Sequence, residues 1–303
     1  MSLDEIEGLR HRVSNLFVEH AQVQKIWNEL DDIRAELKYG DGLNPPENLF
    51  ILGESGVGKT QIGKRYAAKY PVEVRKTDRG EIDIKPVVFL ELSDPFTYLE
   101  FYKAICSALG APQMVGRMTI GDAERRTLNL LKKQQVEMLI LDEVDFINQS
   151  RYIRPAEAME LIKHIANTAN LSMIFIGRPD AKKLIKDDFQ YRRRFPVREI
   201  KQFESCNEEF IKLLADMEEK IKPPFPIGLS DGNIGYPQLL HAGCKGLIGF
   251  LTKSLEKAYQ LLGLYKPEFD DITKAKINAN ILVEAFHLAV GTILKEEIRR
   301  GKN

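Results

Sequence analysis

The 303-residue sequence has little of several features that mark specialised classes of protein. Its three cysteines, Cys106, Cys206 and Cys244, lie far apart and have no C-x-x-C spacing, which argues against both a zinc site and a disulfide scaffold. We expect them to be buried apolar residues of a protein in a reducing compartment. The five histidines make no metal-like cluster either.

Long apolar runs and an excess of one charge are also missing. No stretch approaches the ~18 apolar residues of a membrane span, and the start MSLDEIEG is too acidic and polar for a signal peptide. We therefore predict a cytoplasmic protein without a membrane partner. Because 44 basic residues offset 44 acidic ones, a nucleic-acid surface would have to be a local patch.

One stretch carries a complete phosphate-binding pattern. The apolar run Leu49–Leu52 leads into GESGVGKT, which fits G-x-x-x-x-G-K-[ST] at every fixed position. Glycines let successive N–H groups converge on an anion, and the following helix adds the positive end of its dipole. A plain glycine turn would need neither the lysine nor the threonine. The predicted nucleotide-binding residues are Gly53, Glu54, Ser55, Gly56, Val57, Gly58, Lys59, Thr60 and Gln61.

Two residues of this loop have specific chemical roles. Lys59 can reach the terminal phosphates of a nucleotide, and the Thr60 hydroxyl can ligate Mg²⁺.

An acidic pair about 80 residues downstream supplies complementary chemistry. The apolar run Val136–Leu141 leads directly into Asp142 and Glu143. In a Walker B strand, Asp142 would hold Mg²⁺ through water, and Glu143 would polarise the attacking water. Such a pair is often only a solvated turn, but the phosphate loop upstream favours the functional interpretation.

The rest of the pattern predicts three segments: an N-terminal helical segment at 1–40, an α/β core at 41–203, and C-terminal helices at 204–303. Core strands are predicted at Leu49–Leu52, Lys85–Leu92, Val136–Leu141, Leu171–Ile176 and Val197–Phe203. Pro71–Lys85 is predicted to be an irregular connection. Predicted helices include Gln61–Tyr70, Pro155–Ala169, Glu208–Ile221, Gln238–Leu262 and Thr273–Leu294.

The whole layout resembles an AAA+ ATPase, and within that class the TniB and TnsC family of transposition regulators. The residues that carry the resemblance are PENLFILGESGVGKT, VEMLILDEVDFI, SMIFIGRPDAKKLIKDD and RRRFPVREIKQF, within about residues 15–262. The resemblance implies an α/β P-loop NTPase fold with a five-stranded parallel sheet, N-terminal helices and a small C-terminal helical lid. It also implies ATP and Mg²⁺ as cofactors.

The resemblance further implies an arginine finger at the Arg-Phe pair. Arg194 is the first choice and Arg193 the second, and either would stabilise charge on the γ-phosphate of a neighbouring subunit. Two positions depart from the family pattern: Arg178 stands at the sensor position after the fourth strand, and Phe250 replaces the basic residue expected in the lid. These departures predict slow hydrolysis.

Family members encircle DNA, so the resemblance implies a homo-oligomeric ring or filament on double-stranded DNA. The matching pore-facing positions are Lys103, Arg117 and Thr119, whose side chains suit phosphate contact without base reading. Lys103 also has a simpler interpretation, as an ordinary exposed lysine on a helix that does not contact DNA. The implied partners are a transposase and a target-selection protein.

Three other functions share parts of this pattern. A helicase loader of the same class would differ only in its partner. A monomeric P-loop kinase or GTPase is disfavoured, because no Asn-Lys-x-Asp motif occurs and Glu143 is unusual for a kinase that must exclude water. The third alternative is a scaffold that binds nucleotide without hydrolysing it. An assay of phosphate release would distinguish such a scaffold from an ATPase.

Overall fold

The computed structural model describes residues 3–40, 44–78, 80–112, 118–185 and 194–291. Contacts divide the chain into two compact units. The sheet unit consists of residues 22–55 and 59–200, and the helical unit of residues 1–21, 56–58 and 201–303. The segment boundaries predicted at residues 40 and 203 stay predictions. In the structure, contacts group the first helix with the C-terminal helices.

The sheet unit alternates strands with helices along most of its length. Its elements are α2 (Ala21–Tyr39), β1 (Leu49–Leu52), α3 (Lys59–Ala68), β2 (Glu73–Thr77), β3 (Gly80–Ile84), β4 (Val87–Glu91), α4 (Tyr98–Ala108), α5 (Ile120–Lys133), β5 (Met138–Asp142), α6 (Asp145–Gln149), α7 (Pro155–Ala169), β6 (Ser172–Gly177), a 3₁₀ helix (Pro179–Ile185) and β7 (Val197–Glu199).

Five of these strands form one parallel sheet in the order β4-β5-β6-β1-β7. Every residue of β1, β5 and β6 is buried, which explains why these strands are almost continuously apolar. Leu52 lies opposite Gly177, and Glu91 lies opposite Asp142. The strands therefore end together, and the residues after them share one edge of the sheet.

The segment predicted to be an irregular connection contains a hairpin instead. β2 and β3 pair antiparallel, from Glu73 opposite Ile84 to Thr77 opposite Gly80. All five residues of β2 are exposed, and in β3 only Ile84 is buried, so the hairpin has little buried surface. The prediction was wrong here because it was based on the charged residues of this segment, whereas polar and apolar residues alternate in β3, which is typical of a strand.

Three phenylalanines pack together in the core of the sheet unit. The rings of Phe50 and Phe175 stack at 4.5 Å between centroids, and Phe195 meets both edge-on at 6.1 and 5.6 Å. All three side chains are buried. Phe195 thereby fixes the start of the last strand against the centre of the sheet.

The helical unit has a separate apolar core. Its elements are α1 (Leu3–Ser14), α8 (Glu208–Ile221), α9 (Tyr236–Cys244), α10 (Ile248–Leu261), a 3₁₀ turn (Ile272–Lys274) and α11 (Ala279–Val290). Leu9 of α1 is buried in this core together with Leu213, Leu255 and Phe286 of the C-terminal helices.

Two helix predictions need correction in this unit. Gln238–Leu262 forms two helices rather than one, since Lys245 and Gly246 take left-handed backbone angles, with φ of 53° and 72°, between α9 and α10. The last helix occupies Ala279–Val290 rather than Thr273–Leu294, and the end of that prediction lies outside the described residues.

Within the described ranges, no helix combines the length and the apolar character needed to cross a membrane.

The phenylalanine cluster gives a stability prediction. Phe175→Ala removes a fully buried ring that touches two others, so we expect the free energy of unfolding to fall by about 3–5 kcal/mol. Tyr152→Ala is the control, because its side chain is 70% exposed and should change stability by less than about 0.5 kcal/mol. Chemical denaturation measures both variants, and equal stabilities would contradict this account of the core.

Candidate active site

The predicted phosphate loop joins the end of β1 to the start of α3. The Gly53 N–H donates to the Gly177 carbonyl at 3.2 Å, which ties the beginning of the loop to the neighbouring strand β6. Gly56 and Gly58 have φ of 89° and 94°, a region that side-chain-bearing residues rarely adopt. A Cβ at Gly58 would meet no atom within 4 Å, so its backbone angle rather than crowding requires glycine.

Lys59 is the first residue of α3, and its ammonium group folds back over the loop. The Nζ atom donates to the carbonyls of Gly53 at 2.7 Å and Glu54 at 2.9 Å. Burial lowers its pKa, whereas nearby carboxylates, Asp142 foremost, oppose that shift. A cation is thus held at the mouth of the loop, where phosphate oxygens would need it.

Asp142 is the last residue of β5 and is only 3% exposed. Its Oδ1 atom accepts from the Glu143 N–H at 2.9 Å. Burial raises its pKa, while the nearby Thr60 hydroxyl acts in the opposite direction. Among the described residues its Oδ2 atom has no hydrogen-bond partner, although it is buried. An unpaired, buried carboxylate oxygen is costly unless a further ligand satisfies it.

These donors fit a magnesium ion bound together with a nucleotide. No group of three or more His, Cys, Asp or Glu side chains in the described residues could hold a metal by itself. Mg²⁺ usually takes one or two protein oxygens together with phosphate oxygens and water. The Thr60 hydroxyl and the unpaired Asp142 oxygen supply this kind of donor set.

Glu143 follows Asp142 in a left-handed backbone conformation, with φ of 57°. Such a conformation is uncommon for a residue with a side chain, and it occurs often at functional sites. The Glu143 side chain is exposed beyond the end of β5. Because the carboxyl is still partly shielded from water, its pKa is raised; the charge of Asp142 raises it further, while Lys59 lowers it. A raised pKa makes this carboxylate a better proton acceptor.

Asp145 and Arg178 form an adjoining charged pair that the sequence analysis did not link. The Asp145 Oδ2 atom accepts from the Arg178 N–H at 2.9 Å and lies 3.8 Å from its guanidinium. Asp180 lies 3.4 Å from the same guanidinium. Burial raises the pKa of Asp145. Arg178, which the resemblance places at the sensor position, is therefore paired with two carboxylates, and one of them, Asp145, lies two residues after Glu143.

The second departure, Phe250, lies in the first turn of α10. Its ring would be 3.6 Å from a Cβ placed on Gly56. An aromatic ring, instead of the basic group expected from the resemblance, lies against this part of the loop.

The two residues of the Arg-Phe pair lie in different environments, one on the surface and one in the core. Arg194 is exposed, whereas the adjacent Phe195 is buried in the phenylalanine cluster. The buried ring thus anchors the backbone beside Arg194. Arg193, the second choice for the arginine finger, lies outside the described residues.

The positions proposed to contact DNA have local partners. Lys103 forms an ion pair with Glu100 at 2.8 Å, one helical turn away. The Thr119 hydroxyl caps α5: it accepts from the Asp122 N–H at 3.1 Å and donates to its carboxylate at 2.7 Å. Arg117 lies outside the described residues. The DNA contacts of these three residues stay a prediction.

Several solved structures share the fold of this chain. The ORC2 protein of Aeropyrum pernix in ADPNP–ADP complexes aligns with a TM-score of 0.62 at 13% identity, covering 91% of this chain and 68% of that one. The ORC1 protein of the same organism in complex with DNA gives 0.61 at 15%, with the same coverage. Cdc6p from Pyrobaculum aerophilum gives 0.56 at 11%, covering 96% and 86%.

The five-stranded parallel sheet, the flanking helices and these neighbours define an α/β fold of the P-loop NTPase type. The predicted fold class is confirmed. The family model described as bacterial TniB protein matches residues 9–205, well over half of the chain, and the protein belongs to the TniB family. No curated protein sequence matches the chain.

The unpaired oxygen of Asp142 gives a prediction for the protein without ligands. Since burial raises its pKa, the ionised carboxylate destabilises the fold at neutral pH, and stability is regained as the pH falls. Asp142→Asn removes that charge. We therefore expect a higher free energy of unfolding than wild type at pH 7, with the difference shrinking towards acidic pH.

Urea denaturation at a series of pH values measures this difference, with Asp32→Asn, an exposed residue, as the control. An Asp142→Asn protein less stable than wild type at pH 7 would contradict the electrostatic account.

Proposed function

We propose that this protein is an ATP-dependent, DNA-binding regulator of transposition. In this proposal it binds ATP with Mg²⁺, oligomerises on duplex DNA, and links a target-selection protein to recruitment of a transposase. Hydrolysis of ATP to ADP and phosphate then causes disassembly. The observation that carries the proposal is the convergence of Lys59, Asp142 and Glu143 in a chain of the TniB family.

The charges around Lys59 support nucleotide binding and turnover. The carboxylates that oppose the fall in the pKa of Lys59 include Asp142, Asp145 and Glu143, so the cation and these anions lie close together. The loop N–H groups and Lys59 would bind the phosphates. Bound Mg²⁺, held by Thr60 and Asp142, would neutralise charge that develops on the phosphate oxygens.

Glu143 is the residue we assign to proton transfer. Its carboxylate would accept a proton from the water whose oxygen attacks the terminal phosphorus, while the bond to ADP breaks. The exposed side chain and raised pKa of Glu143 support this role. Arg178 would have to break its ion pairs with Asp145 and Asp180 before it could contact phosphate. This requirement supports slow turnover.

Assembly is supported by the exposed arginine beside the buried Phe195. Arg194 would complete the site of a neighbouring copy in a head-to-tail ring or filament. Duplex DNA is supported by the TniB family and by the fold shared with an ORC1 protein solved in complex with DNA. Because such contacts would be made to phosphates, binding should be independent of base sequence and weaken with salt.

Glu143→Gln tests the role of hydrolysis. The amide cannot accept the proton, so we expect turnover to fall by about 10²-fold or more while ATP binding is retained. DNA complexes of the variant should then outlast those of wild type after free nucleotide is removed. Phosphate release and the dissociation rate from a labelled duplex measure these effects. Complexes that dissociate as fast as wild type would contradict hydrolysis-driven disassembly.

Mixing two inactive variants tests Arg194. Arg194→Ala lacks the arginine but retains Glu143, whereas Glu143→Gln retains the arginine. Equal mixing should restore roughly a quarter of wild-type turnover, because a quarter of head-to-tail interfaces then join an intact Glu143 to an intact Arg194. Arg151→Ala, an exposed arginine elsewhere, should be fully active by itself. A mixture no more active than its components would contradict action between subunits.

A further inference from the structure

Three glycines are spaced three residues apart around the break between α9 and α10. A Cβ on Gly243 would lie 3.0 Å from the Phe286 ring, and one on Gly246 would overlap the Phe203 carbonyl oxygen. A Cβ on Gly249 would lie 2.8 Å from the Gly56 carbonyl oxygen and 3.3 Å from the Gly56 Cα. The last contact matters most for the site, because Gly56 belongs to the phosphate loop.

Gly249 is the second residue of α10, where a helix has N–H groups without an acceptor inside the helix. Its N–H donates to the Gly56 carbonyl at 2.7 Å. The N-cap residue, Leu247, provides no side-chain hydrogen bond. The phosphate loop therefore supplies a cap for α10, and the contact lies within the helical unit, to which residues 56–58 belong.

This hydrogen bond also fixes the direction of a loop N–H group. In a planar trans peptide, the carbonyl of one residue and the N–H of the next point in opposite directions. With the Gly56 carbonyl held by α10, the Val57 N–H points away from that helix. The buried Val57 side chain, 2% exposed, further restricts rotation of this peptide. Such fixed loop N–H groups are what bind phosphate oxygens.

We propose that Gly249 is a positioning residue for the phosphate loop: its N–H orients the Gly56–Val57 peptide for phosphate binding, and only glycine permits the close approach. Gly249 itself does not touch the nucleotide. The inference rests on the proposed nucleotide site.

Gly249→Ala tests the proposal. The added methyl group must push Gly56 away, which breaks the hydrogen bond and turns the Val57 N–H. We expect the dissociation constants of ADP and of a non-hydrolysable ATP analogue to rise about tenfold or more. Calorimetry measures them. Alanine favours a helix more than glycine does, so a loss of affinity would not come from a weaker α10.

Gly121→Ala is a matched control. Gly121 is also the second residue of a 14-residue helix that starts with isoleucine, and a Cβ there would meet no atom within 4 Å. Its nucleotide affinity should stay within twofold of wild type. If wild type fails to bind nucleotide, the proposed function is wrong. If wild type and Gly249→Ala bind equally well, the inference alone is wrong.

Amide hydrogen exchange of wild type supplies a second readout, which does not depend on the variant folding. Because the Gly249 N–H donates to the Gly56 carbonyl, it should exchange more slowly than the Gly121 N–H. Bound nucleotide should slow the exchange of the Gly249 N–H further. In Gly249→Ala without nucleotide, peptides spanning residues 53–60 should exchange faster than in wild type. Equal exchange at Gly249 and Gly121 with and without nucleotide would overturn the proposal.

Discussion

The parallel direction of the central strands is the constraint on which the rest of this site depends. Because β1, β5 and β6 run the same way and end in register, the loop after β1 and the acidic pair after β5 share one edge of the sheet. Lys59 and Asp142 are 83 positions apart in sequence, yet the charge of each affects the pKa of the other. The candidate site is thus assembled from strand ends rather than from residues that are neighbours in sequence.

Several features of the candidate site cost stability in the protein without ligands. Glu143 adopts a left-handed backbone, Asp142 keeps a buried oxygen unpaired, and burial lowers the pKa of Lys59. Each would be unfavourable in a protein selected for stability alone. A bound nucleotide with its metal would offset these costs, since phosphate oxygens pair with Lys59 and the ion with Asp142.

The sequence predicted the parallel sheet and the phosphate loop because both have local signals: a buried strand is continuously apolar, and the loop has a fixed pattern of glycines. It missed the β2–β3 hairpin, whose first strand is charged and exposed, and the break at Lys245, whose left-handed conformation has no signal in a lysine. The pairing of Asp145 with Arg178 depends on tertiary structure, although the spacing D-E-V-D offered a hint. The roles of individual site residues stay predictions, which the geometry supports by proximity.

In the proposed function, a nucleoside triphosphate makes copies of this chain assemble on duplex DNA. Sedimentation velocity of the protein with a fluorescent duplex, in the presence of Mg²⁺, measures this most directly. With a non-hydrolysable ATP analogue we expect DNA-bound mass in several multiples of 34.6 kDa, whereas with ADP or without nucleotide we expect little protein on the duplex. A chain that stays monomeric and leaves the duplex free at saturating analogue would contradict it.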